Sequence, residues 1–204
     1  MELILDTVSS QLIVLLLDQG ELRFKLREDS RSASHSFLKD LQGFFEQEGL
    51  SAGDVKTLYF NRGPGSFTGI KLGSVVSSTW AFDSDLELRG YHAFHLMQLN
   101  EHFRKDLPLY QYAYQEEYFQ ATLLDEVRFE VKVLHSSEVD ETRGLYYGKE
   151  KFCREGWRAI ELPDLESFQK LPSLLSGEKC LEPLYIKKSN AQRVKENHKP
   201  VIRI

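Results

Sequence analysis

The 204-residue sequence predicts an α/β protein with two small mixed-sheet halves. Three observations carry this. The first 100 residues read in the order β-β-β-α-β-α-β. The second half is aromatic-rich and strand-like. Hydrophobic residues make up 41% and charged residues 28%, the balance of a chain that buries a core.

Residues 2–6 (ELILD) read as a first strand. Residues 11–17 (QLIVLLL) are apolar on both faces, as in a strand central in its sheet. Asp18-Gln19-Gly20 signals a turn, and Leu22, Phe24 and Leu26 alternate with Arg23 and Lys25 as a half-exposed third strand. A helix follows, with Ser34 or Ser36 a candidate N-cap. Its apolar face is Phe37, Leu38, Leu41, Phe44 and Phe45. Gly49 and Gly53 lie in the next loop. Val55–Phe60 reads as a fourth strand, Thr68–Phe82 as a long helix, Leu86–Tyr91 as a fifth strand and Ala93–Phe103 as a short helix. In the second half, Leu109–Leu124 suits one or two strands and Arg128–Leu134 alternates as another. Asp164–Leu175 reads as helix broken near Pro172, and Leu184–Lys187 as a short late strand. A boundary near residue 105 divides 1–105 from 106–204.

Charge and cysteine content exclude some functions. The net charge is −5. Lys187, Lys188, Arg193, Lys195, Lys199 and Arg203 face only Glu196 within 187–204, so that tail carries +5 and the remainder −10. The tail is either a basic arm for RNA or an acidic partner, or a solvated terminus, and the second reading is preferred. Cys153 and Cys180 have neither metal nor disulfide-framework spacing, which fits a reducing compartment. The apolar run Leu12–Leu17 is too short for a signal peptide or membrane span. No membrane association is expected.

The informative stretch is Gly63-Pro64-Gly65-Ser66-Phe67-Thr68-Gly69-Ile70-Lys71-Leu72-Gly73. Its glycines and proline shape a tight turn, and Ser66 or Thr68 suits a helix cap. A helix N-terminus here would suit an anion. The spacing is not that of a P-loop, because five residues separate Gly63 from Gly69 and Lys71 is not adjacent to Gly69. Gly69, Gly73, Ser77 and Ala81 then recur every four residues. Such a small-residue stripe admits a close-packed neighbour. Pattern alone leaves that neighbour open: a partner subunit or the chain's own sheet.

GPGSFTGIKLG resembles the signature of the TsaB family, also called YeaZ, within the wider glycoprotease-like (M22-like) superfamily. The opening LILDTVSS and His35-Ser36 are similar to the family's start. Ala113–Tyr118 resembles an eroded form of its Asp-Ala-Arg-x-x-Glu-Val-Tyr segment, and Glu182–Lys187 its late Glu-Pro-x-Tyr element. The resemblance implies an actin-like ATPase (ASKHA, ribonuclease-H-like) fold with a degenerate nucleotide site at Asp6 and Thr7. It implies a non-catalytic, cytoplasmic scaffold subunit. Its partners would be a TsaD-type catalytic subunit and a TsaE-type ATPase, and the product a threonylcarbamoyl group on the adenosine beside the tRNA anticodon. The chain would meet tRNA only through that complex, bind no cofactor alone, and meet ATP only in the complex. The family's pairing surface, also used for homodimers, implies an interface of Leu41, Phe44, Phe45, Gly69, Gly73, Val76, Ser77, Trp80 and Ala81. Gly73→Leu is then expected to block association and leave the fold intact.

Two enzyme readings compete. A stand-alone actin-like ATPase or kinase needs a glycine in the first turn, and Asp6-Thr7-Val8-Ser9-Ser10 has none. A metallopeptidase would use His92 and His95, whose i, i+3 spacing departs from the family's His-x-x-x-His. No metal is expected. Tyr110, Tyr112, Tyr114 and Tyr118 could stack on RNA bases, but packing within the sheet is the preferred reading.

Overall fold

The computed structural model describes residues 1–29, 37–82, 84–175 and 201–203. These fall into two compact units. One holds Met1–Ala93 and Leu175, the other Phe94–Leu174 and the strand at 201–203. The division falls at Ala93, earlier than residue 105. Leu175 groups with the first unit, where its carbonyl accepts from Arg89 Nη1 at 3.3 Å.

In the first unit, β1 (Glu2–Asp6), β2 (Gln11–Asp18), β3 (Glu21–Asp29), β4 (Thr57–Asn61) and β5 (Glu87–Tyr91) form one sheet in the order β3-β2-β1-β4-β5. β1 runs antiparallel to β2 and parallel to β4, so the sheet is mixed as expected. β2 is buried along Leu12–Leu17, yet β1 holds the centre. β2 and β3 join through Gln19 (φ 51°) and Gly20 (φ 85°), whose paired positive angles match the right-handed strand twist.

Helix α1 (Phe37–Glu48) follows the predicted periodicity. Phe37, Leu41 and Phe45 enter a core with Leu3, Leu5, Leu12, Val14, Leu16, Leu58 and Phe60. Phe44 packs against Phe24 of β3 at 5.0 Å between ring centroids. Ser34, His35 and Ser36 lie outside the described residues. Helix α2 (Phe67–Phe82) connects β4 to β5.

Helix α3 (Ala93–Gln98) is shorter than predicted. Asn100 ends it, because its side chain accepts from the His102 N–H and its carbonyl from the Phe103 N–H, turning the chain.

The second unit's sheet has the order β10-β9-β6-β7-β8-β11. β6 (Leu109–Tyr114) and β7 (Glu117–Leu123) form a hairpin, and β8 (Phe129–His135) pairs with β7. β9 (Gly144–Tyr147), β10 (Trp157–Ala159) and β11 (Val201–Arg203) were not predicted. At three or four residues each, they offer too few positions for a period to register. The aromatic cluster settles the tyrosine question for three of four residues. Tyr110 stacks on Trp157 at 4.1 Å and 7°, Tyr118 meets Trp157 edge-on, and Tyr112 stacks on Phe152. Only Tyr114 is exposed. The predicted helix 164–175 is two single turns, α4 (Leu165–Phe168) and α5 (Leu171–Leu174). Asp164 caps the first by accepting from the Ser167 N–H, and Pro172 has no N–H to continue the ladder between them. Glu182–Lys187 and the basic residues 187–199 lie outside the described residues. Val201–Arg203 pairs antiparallel with β8.

Candidate functional site

β1 ends at Asp6, whose side chain is fully buried and saturated. Oδ1 accepts from the Val8 N–H (2.8 Å) and the Ser9 N–H (2.9 Å). Oδ2 accepts from Ser9 Oγ (2.8 Å) and Asn61 Nδ2 (3.0 Å). Burial raises its pKa above the ordinary 3.8, and the donors from Ser9, Asn61 and Val8 offset only part of that. All four donors belong to this chain, so the carboxylate is a turn-builder.

Asn61 carries the structure onward. Its Oδ1 accepts from the Gly63 N–H at 2.9 Å, tying the first turn to the Gly-rich loop. Gly63 and Pro64 are joined by a cis peptide and are buried. The Gly63 carbonyl accepts from the Ala93 N–H at 3.0 Å. Arg62, also buried, places Nη2 2.6 Å from His92 Nε2. A guanidinium only donates, so Nε2 accepts and the ring proton sits on Nδ1, 3.3 Å from the Gly63 carbonyl. His95 lies in the second unit, with Nε2 2.8 Å from the Val127 carbonyl and its ring edge-on to Phe129. Among the described residues, no three His, Cys, Asp or Glu side chains gather as a metal site. His92 and His95 are committed to contacts within their own units.

Three loop N–H groups are also taken internally. The Gly63 N–H goes to Asn61 and the Ser66 N–H to the Val8 carbonyl (3.2 Å). The Gly69 N–H goes to Ser66 Oγ (3.1 Å), which makes Ser66 the N-cap of α2. Thr7 Oγ1 donates to the Gly69 carbonyl at 2.7 Å. A β-carbon on Gly69 would overlap the Thr7 carbonyl oxygen and stand 2.8 Å from its carbon. One on Gly73 would stand 2.7 Å from Thr7 Oγ1. Gly69 and Gly73 therefore allow helix and turn to touch.

This placement corrects part of the expected partner surface. Gly69, Gly73 and Ser77 are buried, and Gly69 and Gly73 face the β1–β2 turn, so this part of the stripe serves internal packing. Leu41 and Phe45 are core residues as well. Phe44, Val76, Trp80 and Ala81 are half-buried. In the signature loop, Gly65, Ser66, Phe67 and Thr68 are exposed. The expectation for Gly73→Leu is also revised: a side chain there strikes Thr7 and attacks the fold itself.

The outward face of α2 is different. Phe67 (56% exposed), Lys71, Val75 (64%) and Phe82 (94%) lie along one side, and Lys71 Nζ sits 4.3 Å above the Phe67 ring. Their spacing of four, four and seven is a helical face that the small-residue pattern obscured. On the other side of α2, Leu38, Leu41, Phe45, Leu50 and Trp80 line an apolar groove of about 390 Å³. Trp80 meets Phe45 edge-on at 6.3 Å, and its indole Nε1 is shielded without an acceptor among the described residues.

Fold and site define a two-unit mixed-sheet α/β protein whose glycine loop braces a helix that shows an apolar face to solvent. No family profile matches the chain. The TsaB tRNA threonylcarbamoyladenosine biosynthesis protein of Haemophilus influenzae is 34% identical over 84 residues, 41% of this chain and 36% of the relative. Its Escherichia coli namesake is 28% identical over 88 residues, 43% and 38% respectively. The match thus spans little more than a third of the curated relatives' length. Two solved structures share the fold. One is described as an uncharacterized protein with similarity to peptidase YeaZ from Pseudomonas aeruginosa (TM-score 0.72, 21% identity, 91% of this chain and 99% of that one). The other is YeaZ from Pseudomonas aeruginosa (TM-score 0.69, 19% identity, 90% and 98%). Over these spans the chain is similar in sequence to TsaB proteins, and its fold is that of the YeaZ structures.

Proposed function

We propose that this chain is a non-catalytic subunit of the machinery that places a threonylcarbamoyl group on the adenosine beside the tRNA anticodon. It pairs with a TsaD-type catalytic subunit, works with a TsaE-type ATPase in the cytoplasm, and reaches tRNA through the assembly. The curated relatives' names supply the pathway. The observation that carries the non-catalytic role is the sealed first turn. Asp6 spends its acceptors on Val8, Ser9 and Asn61, and Gly69 lies against Thr7 where a nucleotide phosphate would need room. ATP then enters only at the level of the complex, and the chain alone holds no cofactor.

The pairing surface is the face of Phe67, Lys71, Val75 and Phe82. Exposed aromatic side chains on one helix cost hydration until a partner covers them. A second copy of the chain is the competing occupant. Neither a stand-alone ATPase nor a metallopeptidase gains a specific observation, since Asp6, His92 and His95 are all engaged internally.

The test is mass in solution, by size exclusion with light scattering, alone and mixed with the TsaD-type protein of the same organism. Conversion to a stoichiometric heteromer is expected. Persistence of the unmixed species, with ATP and the TsaE-type protein also present, refutes the role.

A further inference from the structure

The second unit holds a cavity of about 230 Å³ unrelated to the helical face. Tyr112, Glu116, Tyr118, Ser136, Lys151, Phe152, Cys153 and Arg154 line it. We propose that it is a binding site for a small anionic molecule, bearing a carboxylate or a phosphate, held between Lys151 and Arg154.

The cations are placed by the walls. Lys151 Nζ sits 4.8 Å above the Phe152 ring, and Arg154 Cζ lies 5.7 Å from the Tyr118 ring centre. Both rings belong to the cavity lining, so two positive groups three residues apart converge on one space. The floor is rigid. Phe152 stacks on Tyr112 at 3.6 Å and 2°, and Tyr118 donates its hydroxyl hydrogen to the Phe152 carbonyl at 2.9 Å. Arg154 is steadied from outside by Glu141, 3.3 Å from its Nε.

The rim is held in an uncommon conformation. Gln115 (φ 48°) and Glu116 (φ 62°) both occupy the left-handed region at the β6–β7 turn. Asparagine, aspartate and glycine tolerate that geometry, and this turn has none of them. The Glu116 carbonyl accepts from the Ser136 N–H at 2.6 Å, and its carboxylate lies 3.4 Å from His135 Nε2. These contacts hold Glu116 at the mouth, and such strain is common where a segment serves a ligand. Glu116 suits a hydrogen-bond donor on the same ligand. The volume falls below the roughly 300 Å³ at which drug-sized pockets begin, so the ligand is metabolite-sized.

Titration of the ¹⁵N-labelled full chain with inorganic phosphate and, separately, sodium acetate tests this at ionic strength fixed with chloride. Saturable amide shifts at 116, 136 and 151–154 are expected with at least one probe. Phosphate alone identifies a phosphoester ligand, acetate alone a carboxylate, and both a site for either. Lys151→Gln, at an exposed position, should raise the phosphate or acetate Kd about tenfold, the share of one charged hydrogen bond. Arg154→Gln should do the same. Lys151→Gln keeps the test open if loss of the Glu141 pair unfolds the Arg154 variant. Absence of saturable shifts at these amides, or unchanged affinity in a folded Lys151→Gln variant, overturns the proposal.

Discussion

Replacing Gly69 with alanine adds one methyl group where α2 crosses the first turn. In an ordinary helix interior the change stabilises by about 0.5–1 kcal/mol, because glycine surrenders more backbone entropy. Here the new β-carbon would overlap the Thr7 carbonyl oxygen and lie 2.8 Å from the carbonyl carbon and 3.0 Å from Val8 Cα. These are backbone atoms of a turn pinned by Asp6, so no side-chain rotation relieves the clash. Forcing the elements apart costs about 1–3 kcal/mol of overpacking. It also stretches the Thr7 Oγ1–Gly69 carbonyl hydrogen bond, worth about 1 kcal/mol. The net expectation is a loss of about 1–3.5 kcal/mol. At about 2–4 °C per kcal/mol for a chain of this size, the calorimetric Tm falls by roughly 2–14 °C. Gly43 supplies the control: it sits within α1, and a β-carbon there meets nothing within 4 Å. Gly43→Ala should raise the Tm. Gly73→Ala should fall between, since it strikes the Thr7 hydroxyl and not backbone. A Gly69→Ala variant as stable as Gly43→Ala would refute the close-approach argument.

Phe82→Glu should leave the Tm within about 1 °C, because the side chain is 94% exposed, while weakening association with the TsaD-type subunit at least about tenfold in a binding titration; unchanged association removes this face from the interface. Asp6→Ala strands the donors of Val8, Ser9 and Asn61 and should cost about 3 kcal/mol or more in urea unfolding. Its pH dependence has a definite sign. The folded pKa of Asp6 is raised above 3.8, so the folded state binds the proton more tightly. The residue's contribution to stability is full below pH 3.8 and declines as pH rises through the folded value. The gap between wild type and Asp6→Ala should therefore narrow with rising pH, and a widening gap refutes the burial argument. Trp157→Ala removes the partner of Tyr110, Tyr118 and Tyr146 and the bond from Nε1 to the Asp140 carbonyl. It should destabilise the second unit by about 3–5 kcal/mol, read by far-ultraviolet dichroism during thermal unfolding.

Local pattern made much of the first unit legible. Phe37, Leu41, Phe44 and Phe45 fixed α1 by period, the Leu12–Leu17 run fixed a strand buried on both faces, and Gln19-Gly20 fixed the hairpin. Ser66 and Thr68 were both candidate caps, and the Gly69 N–H gives the role to Ser66. Each of these signals is written within a few residues, where propensity and periodicity act. The direction of a helix face is a different kind of fact. Gly69, Gly73 and Ser77 suit close approach equally well from either side, and only the position of Thr7, 62 residues from Gly69, shows that the approach is internal. That decision left Phe67, Val75 and Phe82 as the surface turned to solvent. The Asp6–Asn61–Gly63 relay and the Arg62–His92 pair were likewise invisible, because isolated polar residues carry no period. The sequence by itself determined most strands and helices of the first unit and where the glycine loop falls. Tertiary structure decided what that loop touches, since burial and hydrogen bonding between distant segments depend on which surfaces the folded sheet brings together.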